Sequence, residues 1–134
     1  MKKIALSILL SFITALVSAQ FKNIVLDVQQ EGERAPAEPS IAISLKDRDN
    51  IVAAAILDKV YITEDGGETW TTKKLESSMG VWGDPVVISD KKGDFYYFHL
   101  SDPAGTNWQS EEILDRIVSQ KSTDGGLTWD DGAS

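Results

Sequence analysis

An eight-residue pattern that occurs twice constrains the fold of this chain more than any other feature. Residues 63–70 read Thr-Glu-Asp-Gly-Gly-Glu-Thr-Trp, and residues 122–129 read Ser-Thr-Asp-Gly-Gly-Leu-Thr-Trp. Six of the eight positions are identical or exchange Ser for Thr, and the two aspartates stand 59 residues apart. A repeat at this distance indicates one supersecondary unit placed beside another, and it suits a four-stranded propeller blade with one long loop.

The residue types of the repeat are those of a tight turn. The Asp carboxylate accepts hydrogen bonds from backbone N–H groups of its own turn, the glycines allow positive φ, and the Ser/Thr hydroxyl closes the turn. The Trp ring supplies apolar area between strands. A calcium loop is the alternative for Asp-Gly-Gly, although the EF-hand spacing of oxygen ligands is absent. No metal and no cofactor is predicted.

Short strand patterns separated by turn signals predict an all-β fold for the rest of the chain. Residues 23–28 are a first candidate strand, before a polar stretch that contains Pro36 and Pro39. Two sets of four strands then follow, at 40–45, 51–57, 60–63 and 69–75, and at 85–89, 94–100, 116–122 and from Thr128 onward. Between the second and third strands of the second set, residues 101–115 form a long loop in which 111–115 has the composition of a helical turn. Loops of this length are often functional.

The pattern Ser/Thr-x-Asp-x-Gly-x-Thr-Trp resembles the Asp-box, or bacterial neuraminidase repeat, of the sialidase superfamily of β-propellers. The resemblance extends from Pro39 to Trp129. It implies blade one at about 39–76 and blade two at about 84–134 of a propeller with six blades, which needs roughly 350 residues. We therefore expect the chain to be the N-terminal part of a longer protein. The resemblance also implies that the Asp-box residues are structural and lie away from the ligand face: Thr63, Asp65, Gly67, Thr69, Trp70, Ser122, Asp124, Gly126, Thr128 and Trp129.

The N-terminus and the composition restrict where the protein acts and what it binds. Lys2 and Lys3 precede an apolar run of about 14 residues that ends in Val-Ser-Ala before Gln20, which predicts a signal peptide at 1–19 and a secreted, periplasmic or cell-surface protein. A formal charge of −8 argues against nucleic acid and anionic membranes as partners. The chain has no Cys, which excludes disulfides and thiol chemistry.

Strand connections alternate between the two ends of a blade, so the candidate site residues can be assigned to one face. Asp84 at the start of an inner strand is the candidate catalytic acid, because a carboxyl group there serves in proton transfer. The candidate ligand-binding residues, which supply aromatic, cationic or carboxylate groups, are Trp82, Trp108, Arg116 and Asp58. Glu38, Lys59, His99 and Asp102 lie on the same face.

Each of these candidate site residues also has an interpretation in which its role is structural. Asp84 before Pro85 is also a common way to begin a strand, and His99 is also read as a hydrogen-bonded histidine at a strand end. Arg116 is also read as a partner of Glu111 or Glu112, and Trp108 as a residue that caps its own loop.

The resemblance implies a glycoside hydrolase of the exo-α-sialidase type that acts on extracellular glycans. Sialidases of this superfamily bind the substrate carboxylate with three arginines, the first in a Phe/Tyr-Arg-Ile-Pro motif, and use a Tyr/Glu nucleophile pair with an Asp acid/base. The first motif is not present; the nearest sequence, Arg34-Ala35-Pro36, lacks the aromatic residue and the Ile. The alternative is a propeller without catalysis that binds glycans or proteins, or serves as a scaffold.

Overall fold

The computed structural model describes residues 22–32, 34–105, 111 and 113–134. All regular secondary structure in these residues is β-strand, which confirms the predicted all-β fold. The predicted signal peptide at 1–19 and the candidate ligand residue Trp108 lie outside the described residues. The strands are β1 (Ser40–Ile43), β2 (Ile51–Ala55), β3 (Lys59–Thr63), β4 (Thr71–Lys74), β5 (Gly83–Ser89), β6 (Phe95–Leu100) and β7 (Ile117–Ser122).

The strands form two antiparallel sheets in which sequence neighbours pair. The first sheet has the order β1-β2-β3-β4 and the second has the order β5-β6-β7. Their first strands stand side by side, and the backbone N–H of Val87 in β5 donates to the hydroxyl of Ser40 in β1 at 2.9 Å. Sheets of this meander type, side by side with their first strands innermost, are two neighbouring blades of a β-propeller.

The fourth position of the second sheet is only partly formed, so the strand predicted from Thr128 is wrong. Ser119 and Ala133 form an isolated antiparallel bridge, with backbone hydrogen bonds of 2.8 and 3.0 Å. Upstream of the bridge the Asp130 carboxylate accepts the Lys121 N–H at 2.8 Å, where a strand would offer a carbonyl. Gly132 has φ +88°, which takes the backbone out of the β region. The Asp130 N–H still donates to the Lys121 carbonyl at 3.0 Å, so the fourth position has one bridge and one further backbone hydrogen bond but no regular strand.

The main core lies between the two sheets. Alternation along the strands directs one set of apolar side chains of each sheet toward the other. Aliphatic residues of the first sheet meet aromatic residues of the second, and the cluster consists of Val52, Ala54, Val60, Ile62, Leu75, Val87, Phe95 and Tyr97. This packing fixes the relative position of the loops at the ends of the blades.

The predicted strand at 23–28 is absent, and the segment instead lies across the outer face of the first sheet. Leu26 packs against Ala53, Ala55 and Tyr61. Asp27 accepts hydrogen bonds from the Lys59 ammonium at 2.7 Å and from the Tyr61 hydroxyl at 2.8 Å. The alternating pattern of the segment is therefore used for side-chain contacts with a sheet face, not for a backbone ladder.

The two copies of the repeat, which we call the repeat turns (residues 63–70 and 122–129), have the same hydrogen bonds. In the first, Asp65 accepts from the Thr69 N–H at 2.9 Å and the Trp70 indole donates to the Gly67 carbonyl at 3.0 Å. In the second, Asp124 accepts from the Thr128 N–H at 2.9 Å and the Trp129 indole donates to the Gly126 carbonyl at 3.0 Å. These bonds hold the pKa of both aspartates below its usual value.

Candidate functional site

Two acidic residues stand at equivalent places in the two sheets, each directly before a proline at the start of an inner strand. Glu38 precedes Pro39 and β1, and Asp84 precedes Pro85 within β5. Their φ angles are +52° and +50°. A non-glycine residue in the left-handed region costs about 1–2 kcal/mol, and such strained residues cluster at functional sites. The backbone at both positions therefore marks this end of the blades as a candidate site.

The carboxyl groups of Glu38 and Asp84, which we call the carboxyl pair, interact through their side chains. Neighbouring carboxyl groups oppose each other's ionisation. The interaction with Asp84 raises the pKa of Glu38 above its ordinary 4.5, and desolvation and the Asp84 charge add to the effect. Both residues are exposed, so the pair is open to solvent.

A cation and an aromatic ring stand at the same end of the blades. The Arg34 guanidinium lies over the Trp82 ring, 5.3 Å from its centroid, and Trp82 precedes Asp84 by two residues. The Trp82 ring is buried, with 8% of the residue exposed, and its backbone N–H donates to the Leu100 carbonyl at 2.9 Å. A cation over an indole face gains about 0.5–1 kcal/mol or more at such sites. Trp82, predicted as a ligand residue, therefore contacts the Arg34 guanidinium with the face of its ring.

A cleft of about 480 Å³ is lined by Arg34, by the β2–β3 connection and by β4. Its charged lining residues include four cations and a single carboxylate, Asp58. Two of the cations are neutralised, because Lys74 pairs with Asp58 at 3.2 Å and Lys59 pairs with Asp27 at 2.7 Å. The structure thus places Asp58, a predicted ligand residue, in an ion pair at the wall of this cleft.

The remaining predicted residues lie at the end of β6 and the start of β7. His99 is 1% exposed, with Nε2 at 3.0 Å from Oε1 of Gln120, and burial lowers its pKa. The Arg116 guanidinium binds the carboxylate of Asp115, through Nε at 2.8 Å and through its terminal nitrogen. Asp102 is buried beside the β4–β5 connection. His99 therefore has the hydrogen-bonded position that was the alternative to a catalytic role.

The sequence interpretation placed Glu38 on this face but did not pair it with Asp84. A signal for the pair exists, because Glu-Pro at 38–39 and Asp-Pro at 84–85 are a second repeat. Its two copies are 46 residues apart, fewer than the 59 of the repeat turns, because the long loop at 101–115 follows the second copy. Aligning the blades from their first strands would have identified Glu38.

Two further features of the described residues concern metals and membranes. No group of three or more His, Cys, Asp or Glu side chains able to hold a metal ion occurs among residues 22–32, 34–105, 111 and 113–134. Within the same part of the chain, no helix has the length and apolar character needed to cross a bilayer.

Comparison with known proteins found similarity to a solved structure. No protein-family profile and no curated protein matches the chain. The crystal structure of the GH74 enzyme of Niastella koreensis is similar at 25% sequence identity, with a TM-score of 0.39. The match covers 68% of this chain and 11% of that enzyme, so the chain spans about a tenth of its length.

Proposed function

We propose that this chain is part of an exported, sialidase-like propeller that acts on extracellular glycans, with the carboxyl pair at its reacting centre. The observation that carries the proposal is the pair of interacting acids, Glu38 and Asp84, both in strained backbone before a proline at the start of the first strands of adjacent blades. The repeat turns support it through their resemblance to the Asp-box. The predicted signal peptide at residues 1–19 supports export.

The chemistry of the pair is that of a general acid. The raised pKa of Glu38 favours its protonated form, so this carboxyl group is the candidate proton donor of the pair. A proton in this position is available to a glycosidic oxygen as its bond to the sugar carbon breaks. After it has donated its proton, the same pair can accept a proton from water. This is the role of an acid/base residue in glycoside hydrolysis.

Arg34 gives the site its proposed preference for an acidic sugar. Guanidinium groups bind carboxylates through two parallel N–H···O bonds, and stacking on Trp82 fixes the plane of this one. A sugar carboxylate held by Arg34 would place the glycosidic bond near the pair, because Trp82 and Asp84 are separated by a single residue. A sialic acid is a sugar with this chemistry.

The test is hydrolysis of a fluorogenic sialoside by the full-length exported protein and by two variants. Asp84→Asn removes one carboxyl group of the pair, and we expect a loss of about 100-fold or more in kcat, as for other acid–base residues. Glu64→Gln is the matched control, because Glu64 is an exposed acid at the opposite end of the blades. Equal rates for Asp84→Asn and the unchanged protein would refute the assignment.

A specific observation favours glycan binding without turnover as a second candidate. Retaining glycosidases hold their two carboxyl groups about 5–5.5 Å apart so that a sugar carbon fits between them. The Glu38 and Asp84 side chains interact with each other and not across such a gap. This candidate predicts that 3′-sialyllactose binds to the protein without being cleaved, and that Arg34→Gln weakens binding while Glu64→Gln does not.

A further inference from the structure

His99 is the one histidine of the 134 residues, and it is enclosed near the end of β6. The residue is 1% exposed, and each of its ring nitrogens faces a carbonyl oxygen. Nδ1 lies 2.9 Å from the Leu100 carbonyl oxygen, and Nε2 lies 3.0 Å from Oε1 of Gln120. Carbonyl oxygens accept hydrogen bonds but donate none. A neutral imidazole therefore donates to one of these oxygens, whereas an imidazolium donates to both.

The orientation of the Gln120 amide is fixed by two other contacts. Gln120 is 0% exposed, and its Nε2 donates to the Glu76 carbonyl at 2.8 Å and to the Asp130 carbonyl. If the amide were turned by 180°, its oxygen would face two carbonyl oxygens and neither contact would have a hydrogen. The atom that Gln120 presents to His99 is therefore the acceptor Oε1.

The single N–H of a neutral His99 belongs on Nε2. The donor that the structure places beside the buried Oε1 of Gln120 is the His99 ring. The Leu100 carbonyl, in contrast, already accepts the backbone N–H of Trp82 at 2.9 Å. Because buried acceptors are paired wherever possible, the proton goes to the contact with Gln120, and Nδ1 carries none. A second proton would then bind at Nδ1 and form a new hydrogen bond to Leu100.

This new hydrogen bond would reach Trp82 directly. A carbonyl oxygen has two lone pairs, so the Leu100 oxygen would accept from His99 and from the Trp82 backbone at the same time. The face of the Trp82 ring contacts the Arg34 guanidinium, 5.3 Å from the ring centroid. The protonation state of a buried ring is therefore connected through one carbonyl to the backbone that carries the tryptophan.

Several titratable groups lie on the segments around His99. Tyr97, on the same strand, makes an edge contact with the His99 ring, with the ring centroids 6.0 Å apart. Asp84 is exposed, and Lys121 pairs with Asp94 at 2.7 Å. The hydrogen-bonding partners of the ring are therefore two uncharged groups, the Leu100 carbonyl and the Gln120 amide. The titratable or charged residues of these segments are Glu76, Asp84, Tyr97, Asp102, Lys121 and Asp130.

Burial sets the pH range in which His99 titrates. It lowers the pKa of His99 below the ordinary 6.5, and the Leu100 carbonyl and Gln120 oppose this only in part. The ring is therefore neutral near pH 7 and gains its second proton in acid. Because the pKa is lower in the folded protein than in the unfolded chain, the stabilisation from neutral His99 is present above about pH 6.5. It is lost as the pH falls through the lowered pKa.

We propose that His99 is a proton-operated switch, which takes up a proton at Nδ1 in acid and transmits the change to Trp82 through the Leu100 carbonyl. The switch goes beyond the proposed function, because it is built from buried groups and operates without a sugar. One consequence rests on the proposed function: where Arg34 binds a sugar carboxylate, acid alters the contacts of the ring against which that arginine lies.

The first test locates the protons on the ring. Imidazole ¹⁵N and ¹³C shifts of the full-length protein are followed from about pH 8 to about pH 4.5, and the signals of His99 are those that His99→Gln removes. The ¹⁵N shifts distinguish a protonated ring nitrogen from a bare one. We expect the neutral ring to carry its proton on Nε2 and to titrate with a midpoint below 6.5. A neutral ring with its proton on Nδ1, or a midpoint at or above 6.5, would overturn the proposal.

The second test follows the backbone amide of Trp82. Its ¹⁵N–¹H signal should shift with the midpoint of His99, because the Leu100 oxygen gains a second donor. The control signal is the Thr128 amide, which donates to Asp124 in the repeat turn after the opposite end of the second sheet and should not follow His99. A Trp82 signal that stays constant through the titration of His99 would overturn the transmission.

Two variants separate the histidine from the carboxyl pair near Trp82. His99→Gln should abolish the component of the Trp82 shift that follows the His99 midpoint, whereas Asp84→Asn, which alters the carboxyl pair, should retain it. If the component persists in His99→Gln, or disappears in Asp84→Asn, it belongs to another group and the transmission is refuted. Asp84→Asn keeps the test decisive even where His99→Gln fails to fold.

These measurements contain no sugar, so they are independent of the test for hydrolysis. If Trp82 follows His99 in a protein that neither binds nor cleaves a sialoside, the switch is supported and the proposed function fails. If a sialoside is cleaved while Trp82 ignores the titration of His99, the switch alone is refuted.

Discussion

Gly80 occupies a place in the β4–β5 connection where no other residue fits. Its φ is +67°, and its N–H donates to the Ser77 carbonyl at 3.0 Å. A Cβ at this position would stand 1.9 Å from the carbonyl oxygen of Asp102 and 2.9 Å from the nitrogen of Pro103. Both are backbone atoms, so the clash cannot be relieved by turning a side chain. Gly80→Ala must move one loop away from the other.

Gly105 provides a control at almost the same backbone angle. Its φ is +63°, and a Cβ there would meet no atom of the described residues within 4 Å. The left-handed conformation costs alanine about 1–2 kcal/mol at either position, and the change in unfolded-chain entropy is the same for both variants. Overpacking adds about 1–3 kcal/mol at Gly80 alone. We expect Gly105→Ala to lose about 1–2 kcal/mol and Gly80→Ala about 2–5 kcal/mol.

Urea unfolding of the two variants measures these losses. The midpoint should fall for both, and farther for Gly80→Ala, with the slope m unchanged, because the surface exposed on unfolding is the same. Equal losses of stability in the two variants would refute the close contact between these loops.

Two further predictions concern contacts that hold the blade faces. Asn50→Ala removes an amide that donates to the Gly125 carbonyl of the other blade at 3.0 Å, and we expect unfolding to become easier by about 1–3 kcal/mol; an unchanged urea midpoint would contradict this. Asp27→Asn should destabilise most at neutral pH, because hydrogen bonds from Lys59 and Tyr61 lower the Asp27 pKa. Its deficit should shrink as pH falls below about 4, and parallel pH profiles of the midpoint would exclude the ion pair.

The blade architecture could be predicted because its signals are local. The Asp-Gly-Gly turns and the alternating strands depend on neighbouring residues, so all seven strands, β1 to β7, lie within two residues of their predicted bounds. The segment at 23–28 was misassigned because its alternation is the same whether it pairs with a strand edge or lies on a sheet face. The contacts of Leu26 and Asp27 with the first sheet decide between the two arrangements. These tertiary contacts cannot be read from the local sequence pattern.

The candidate site was predicted only in part for a similar reason. Asp84 was identified from its place before a strand, whereas its interaction with Glu38 depends on how two blades are aligned. The alignment of the two blades results from packing between the sheets, which the sequence pattern does not encode residue by residue.

The protonation of the carboxyl pair tests the central claim most directly. Carboxyl ¹³C shifts followed against pH should show Glu38 titrating above its ordinary 4.5, because the neighbouring Asp84 opposes its ionisation. In Asp84→Asn the amide donates to Glu38 and the neighbouring charge is lost, so the Glu38 pKa should fall. A Glu38 pKa at or below 4.5 in the unchanged protein, or one that Asp84→Asn leaves in place, would contradict the interaction within the carboxyl pair.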